Sequence, residues 1–94
     1  GYVIFFISLI FIKMTSYEHA KYRINTAGDI RSAKDKLSIY VHQYSGFVTN
    51  FGEGSVEVLL TQSDDKDSRY FVDTVLEGIA KMDFVRNKKD ITKI

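Results

Sequence analysis

The chain has 94 residues, of which 45% are hydrophobic and 27% charged, with no proline and no cysteine. That is one domain's worth of foldable sequence, and it excludes a disordered chain, a disulfide framework and any site built on thiolates. Thirteen Lys and Arg against twelve Asp and Glu leave a formal charge of +1, so no global field draws nucleic acid or an anionic membrane toward it.

The sharpest change in composition comes first. Tyr2, Val3, Ile4, Phe5, Phe6, Ile7, Ser8, Leu9, Ile10, Phe11 and Ile12 form an apolar run broken only by Ser8, and Lys13 ends it. As a helix these residues would reach roughly 17 Å, short of the roughly 30 Å of a hydrocarbon core. Spanning would require Lys13 to snorkel and Met14 to Tyr17 to prolong the helix, or further apolar residues upstream of Gly1. No basic residue precedes the run and no small-x-small site follows it, which argues against a cleaved signal peptide. The competing reading is a buried strand, because nine of the eleven residues are β-branched or aromatic. We therefore divide the chain into an apolar segment, 1–16, expected to contact a membrane or a partner, and a domain, 17–94.

In the domain the hydrophobic periods alternate. Glu18, Ala20, Tyr22 and Ile24 share one side of an extended segment, with His19, Lys21, Arg23 and Asn25 on the other, which predicts a half-buried strand. Thr26 and Asp29 offer capping oxygens ahead of Ile30, Ala33, Leu37, Tyr40, Val41 and Tyr44, spaced as one face of a helix that Gly46 would end in a left-handed conformation. Phe47 to Phe51 and Ser55 to Thr61 read as a hairpin turning at Gly52-Glu53-Gly54, with Val56, Val58 and Leu60 inward. The polar loop Ser63 to Ser68 leads, with a cap from its last two residues, into a second helix that buries Phe71, Val72, Val75, Leu76, Ile79 and Ala80, with Gly78 as an internal weakness. Asp83 to Asn87, led by Phe84 and Val85, reads as the final strand.

The order strand, helix, strand, strand, helix, strand implies an α+β fold of the ferredoxin-like split βαβ type, an antiparallel sheet with both helices on one face. The other face would be bare and would present Phe47, Phe51 and Leu59 to a partner or to the N-terminal segment. A rival pattern exists: Tyr17, Ala20, Ile24, Ala27 and Ile30 continue the helical spacing backward, so residues 17–45 could form one long helix. Gly28 and the β-leaning Tyr22 to Thr26 stretch oppose it.

Asp29-Ile30, Ser45-Gly46-Phe47-Val48, the Phe71 to Ala80 helix, Val85-Arg86 and Asp90-Ile91-Thr92 together resemble a bacterial family of membrane-associated extracytoplasmic domains of unknown function. Its members show a helix ending in a Gly-Gly-Tyr-Val-like strand start, a hairpin, a second helix and a strand leading into Asp-Val-Thr. The resemblance covers about residues 21–92. The chain departs from it at Ser45, at Phe47 and in the proline-free loop before the second helix. It implies a membrane-tethered accessory domain and carries over no catalytic residues.

Reactive chemistry is sparse. His19 and His42 lack metal-ligand spacing and read as surface histidines. Asp64, Asp65 and Asp67 lack the glycine and distal glutamate of a calcium loop. The Gly46 to Phe51 stretch only superficially resembles the aromatic motif of RNA-recognition domains, since it follows the first helix and lacks the basic lead residue. Gly52-x-Gly54 does not open a helix, so it does not cradle phosphate. The expectation is a non-enzymatic, membrane-associated accessory or scaffold domain, without cofactor, metal or nucleic acid, that acts through contacts with other subunits or with itself. The alternatives are a dimeric small-ligand-sensing module and a ribonucleoprotein subunit. Lys13, Lys21 and Arg23 after the apolar run would place the domain in the cytoplasm by the positive-inside rule, whereas the resemblance places it outside, and the extracytoplasmic side is the expectation retained.

Overall fold

The computed structural model describes residues 16–94, so the apolar run Tyr2 to Ile12, expected to meet lipid or a neighbour, lies outside the described residues. In chain order come β1 (Tyr17–Asn25), α1 (Ile30–His42), β2 (Phe47–Gly52), β3 (Ser55–Ser63), α2 (Val72–Ala80), a 3-10 turn (Lys88–Asp90) and β4 (Ile91–Lys93). The long-helix alternative is therefore overturned, because Tyr17 to Asn25 is extended and ladders with β3 along its whole length.

The four strands form one antiparallel sheet in the order β2-β3-β1-β4. Period-2 alternation decides what each face carries. Ala20 and Ile24 of β1 sit opposite Leu60 and Val56 of β3, and all four are buried. Ala33, Leu37 and Val41 form the buried stripe of α1, and Val72, Val75 and Ile79 that of α2. Both stripes join the same cluster as Ile24, Val56, Val58 and Leu60, so the two helices share one face of the sheet, and none of the described elements covers the other.

Local chemistry sets the boundaries of these elements. Asp29 caps α1 as expected, accepting a hydrogen bond from the Arg31 N–H at 3.1 Å. Thr26 does not help; its hydroxyl is buried without a partner among the described residues. After α1 the left-handed residue is Ser45, with φ 59°, and not Gly46. Gly46 serves a different need, because a Cβ there would stand 3.0 Å from the Leu59 carbonyl and from Val41. The β2–β3 hairpin closes through Glu53 and Gly54 at φ 52° and 80°, the two consecutive positive values of a type I′ turn.

Two expectations are corrected at the C-terminal end. The polar loop does not cap α2: Ser68 Oγ accepts from the Tyr70 N–H at 3.2 Å within the loop, and the helix starts later, after Phe71, without a side-chain cap. The final strand is Ile91–Lys93 and not Asp83 to Asn87. Phe84 and Val85 are buried as anticipated, but in a turned segment where Val85 N–H bonds Met82 C=O and Phe84 C=O accepts from Ala27 N–H at 2.8 Å. An apolar pair can plug the end of a core from a turn as well as from a strand, and two residues carry no period that separates the cases.

Candidate protein-contact site

The uncovered sheet face is built from the outward residues of the central strands. Arg23 of β1 lies directly opposite Glu57 of β3, and Lys21 lies diagonally from it, opposite Leu59. The Glu57 carboxylate accepts a hydrogen bond from the Arg23 guanidinium at 3.0 Å and stands 3.6 Å from Lys21 Nζ. These contacts, the arginine hydrogen bond foremost, hold the Glu57 carboxyl below its ordinary pKa of 4.5. One carboxylate thereby engages both cations, and the three side chains together keep a net positive charge.

Beside the ion cluster the face turns apolar. Phe47, the first residue of β2, pairs with Leu59 and is 58% exposed. Phe51 does not join them. The register slips between Val48 and Asn50, so Thr49 is bulged and Phe51 comes opposite the buried Val56, on the helix side of the sheet. There Lys34 of α1 stands 5.0 Å from its ring centroid, while the ring itself remains 47% exposed at the sheet edge. Of the three aromatic and aliphatic residues anticipated as one patch, the structure brings Phe47 and Leu59 together and separates Phe51 by one bulge. No residue of the β2 sequence announces that bulge, because strict alternation of Phe47, Thr49 and Phe51 looks equally good as a regular strand.

The sheet edges add backbone to this surface. β4 covers β1 only at Tyr22 to Ile24, extended by the Ile94 N–H to Lys21 C=O hydrogen bond at 2.9 Å. Among the described residues no strand pairs with the Tyr17 to Ala20 half of β1 on that side. Such an edge can accept an added strand.

A cleft missed in the sequence lies on the helix side, between α2, β1 and β4. It encloses about 260 Å³ and is lined by Tyr22, Asp73, Leu76, Glu77, Lys88 and Ile91. Burial, and then the Asp73 charge, raise the Tyr22 phenol above its ordinary pKa. Asp73, Glu77 and Lys88 are all exposed, which leaves the Tyr22 phenol as the partly desolvated polar group of the cleft. The histidines stay apart, His19 on the strand and His42 at the end of α1, and no cluster of His, Asp and Glu able to hold a metal occurs among the described residues. In the acidic loop Asp64 accepts from the Ser16 N–H at 3.3 Å and Asp65 from the Asp67 N–H at 3.0 Å, so two of its three carboxylates hold the loop together. Nor is any helix among the described residues long and apolar enough to cross a membrane. No protein-family model, curated protein or solved structure matches the chain.

Proposed function

We propose that the chain is a non-enzymatic accessory domain, tethered at a membrane by residues 2–12 and held on the extracytoplasmic side, that binds other protein subunits through its uncovered sheet face. The observation that carries this reading is the pairing of an exposed Phe47 with Leu59 next to the Arg23–Glu57–Lys21 ion cluster, on a sheet whose helices pack on the other face. An apolar spot rimmed by partly paired charge is the composition of a modest protein interface. The ferredoxin-like assignment is part of this proposal. It is supported by the element order and by the central placement of β1 and β3, which in the spatial order β4-β1-β3-β2 are flanked by the second and fourth strands. The three-residue β4, entered from a 3-10 turn, is where the chain departs from a regular member of that class.

The test is site-specific crosslinking in the full chain within its native membrane, with a photoreactive side chain at position 59 or, as control, at Ile39 on the solvent side of α1. Ile39 is 68% exposed and matches Leu59 in chemistry, though it sits on the opposite side of the domain. A discrete protein adduct from position 59 and none from position 39 is the expected outcome. Equal labelling from both positions, or none from position 59, removes the proposal.

A further inference from the structure

One end of the domain carries a row of aromatic rings that the proposed contact face does not use. Tyr17, the first residue of β1, meets Tyr70 edge-on, with ring centroids 5.8 Å apart and planes at 78°. The Arg69 guanidinium stands 5.4 Å from the Tyr70 ring and 5.8 Å from that of Tyr44. Tyr44 in turn meets Tyr40 at a tilt, with centroids 5.3 Å apart and planes at 56°. Part of this row is structural: Arg69 donates a hydrogen bond to the Gln43 carbonyl at the end of α1, and Tyr40 packs inward against Gly78. The outer part is not demanded by the core, for Tyr17 is 53% exposed and Tyr44 and Tyr70 are only half-buried.

The register fixes where this row lies. Tyr17 pairs with Ser63 at one end of the β1–β3 ladder and Asn25 with Ser55 at the other, so the end of the ladder beside the hairpin turn is eight residue steps away. At about 3.3 Å per step that is about 27 Å. The aromatic end is also the end the apolar run reaches. Ser16 is fixed there by its two contacts with Asp64, and only Lys13, Met14 and Thr15 separate it from Ile12. Three residues span at most about 11 Å even when extended.

We infer that this end of the domain, presenting Tyr17, Tyr44, Arg69 and Tyr70, rests in the headgroup layer of a lipid bilayer, with the strands rising away from the membrane. Tyrosine rings combine an apolar body with a polar tip, and arginine brings a long stem under its charge, which is the chemistry that settles at a membrane–water boundary. The inference rests on the tether in the proposed function and adds an orientation to it. Charge selects the type of surface. Among the described residues of this end, Lys66 and Arg69 stand against Asp64, Asp65 and Asp67, so it has no positive excess to draw anionic lipid, and the surface it meets is zwitterionic.

Because the chain contains no cysteine, single labels can be placed on the full chain by Lys66→Cys at the aromatic end and Arg86→Cys at the far end. With nitroxide labels and phosphatidylcholine vesicles, the label at 66 should lose accessibility to a water-soluble nickel chelate on vesicle binding, while that at 86 keeps its solution value. Replacing Tyr17 by Ser should shrink the difference. If the chain floats with the vesicles but both labels remain equally accessible, the orientation is wrong and the tether survives. Failure to float at all overturns the tether, and the orientation with it. Docking that appears only when phosphatidylserine is added overturns the zwitterionic surface.

Discussion

Gly78 shows how a residue that looks like a defect in one dimension becomes a requirement in three. Glycine inside a helix is about 0.8–1.0 kcal/mol worse than alanine, so its place in α2 reads as a weakness. A Cβ at that position would stand 1.9 Å from the Tyr40 hydroxyl oxygen and 2.6 Å from the ring carbon that bears it. The missing side chain lets the phenol of α1 lie against the backbone of α2, where burial and the Tyr44 hydroxyl push its pKa up to about 12. Gly78→Ala is therefore expected to reverse the usual sign and destabilise the domain by about 1–3 kcal/mol in urea unfolding, as overpacking does. Combined with Tyr40→Leu, the alanine should cost far less than the sum of the single changes, since the colliding group is gone. A stabilised Gly78→Ala protein would show that the helices do not approach so closely. Ser45 and Gly46 teach the same lesson in reverse. The sequence points to the glycine as the left-handed residue, whereas the backbone puts Ser45 there and needs Gly46 for the approach of Leu59 and Val41. A glycine at position 45 beside Gly46 would meet both demands.

Among the elements, those with a repeating period were legible and those defined by a single event were not. β1, α1, β3 and α2 each place several residues on one face, and their buried apolar positions fall on the expected stripes, while Ser63, expected in the polar loop, is buried at the end of β3. The bulge at Thr49 is one residue, and β4 is three, too short to show alternation. The β1–β3 pair also carries the fold's clearest titration. Glu57 has its folded pKa lowered, first by the Arg23 hydrogen bond and then by the Lys21 and Arg23 charges. A lowered pKa means that its stabilising contribution is complete above the unfolded value and is lost as pH falls through the folded one. The stability gap between the native chain and Glu57→Gln should thus be constant near neutrality and close as pH falls below 4.5. Salt should narrow it as well, because Lys21 and Arg23 are 43% and 52% exposed. A gap that persists unchanged in acid would mean the carboxylate's charge plays no part in joining these strands.

For the whole molecule, the division between residues 1–16 and the remainder has a direct consequence for folding. The core cluster draws on β1, both helices and β3, and its end is closed by Phe84 and Val85 from the turn after α2. Its fully buried members, among them Ile24, Leu37, Leu60 and Ile79, come from elements distant in sequence, so the cluster links the domain from Tyr17 to Val85. The proposed membrane tether would add to location and not to this core. The fragment 16–94, which keeps the Ser16 contacts to Asp64, is therefore expected to fold alone and to unfold in one cooperative transition. It should remain in the supernatant with phosphatidylcholine vesicles, because the aromatic end by itself offers only a few interfacial side chains where stable anchoring takes a longer apolar insertion. Circular dichroism melting and vesicle co-sedimentation measure the two halves of this expectation separately. A fragment with no cooperative melt would make Tyr2 to Ile12 part of the protein's own interior, in keeping with the buried-strand reading of that run. A folded fragment that still pellets with the vesicles would move the membrane contact from the apolar run to the domain.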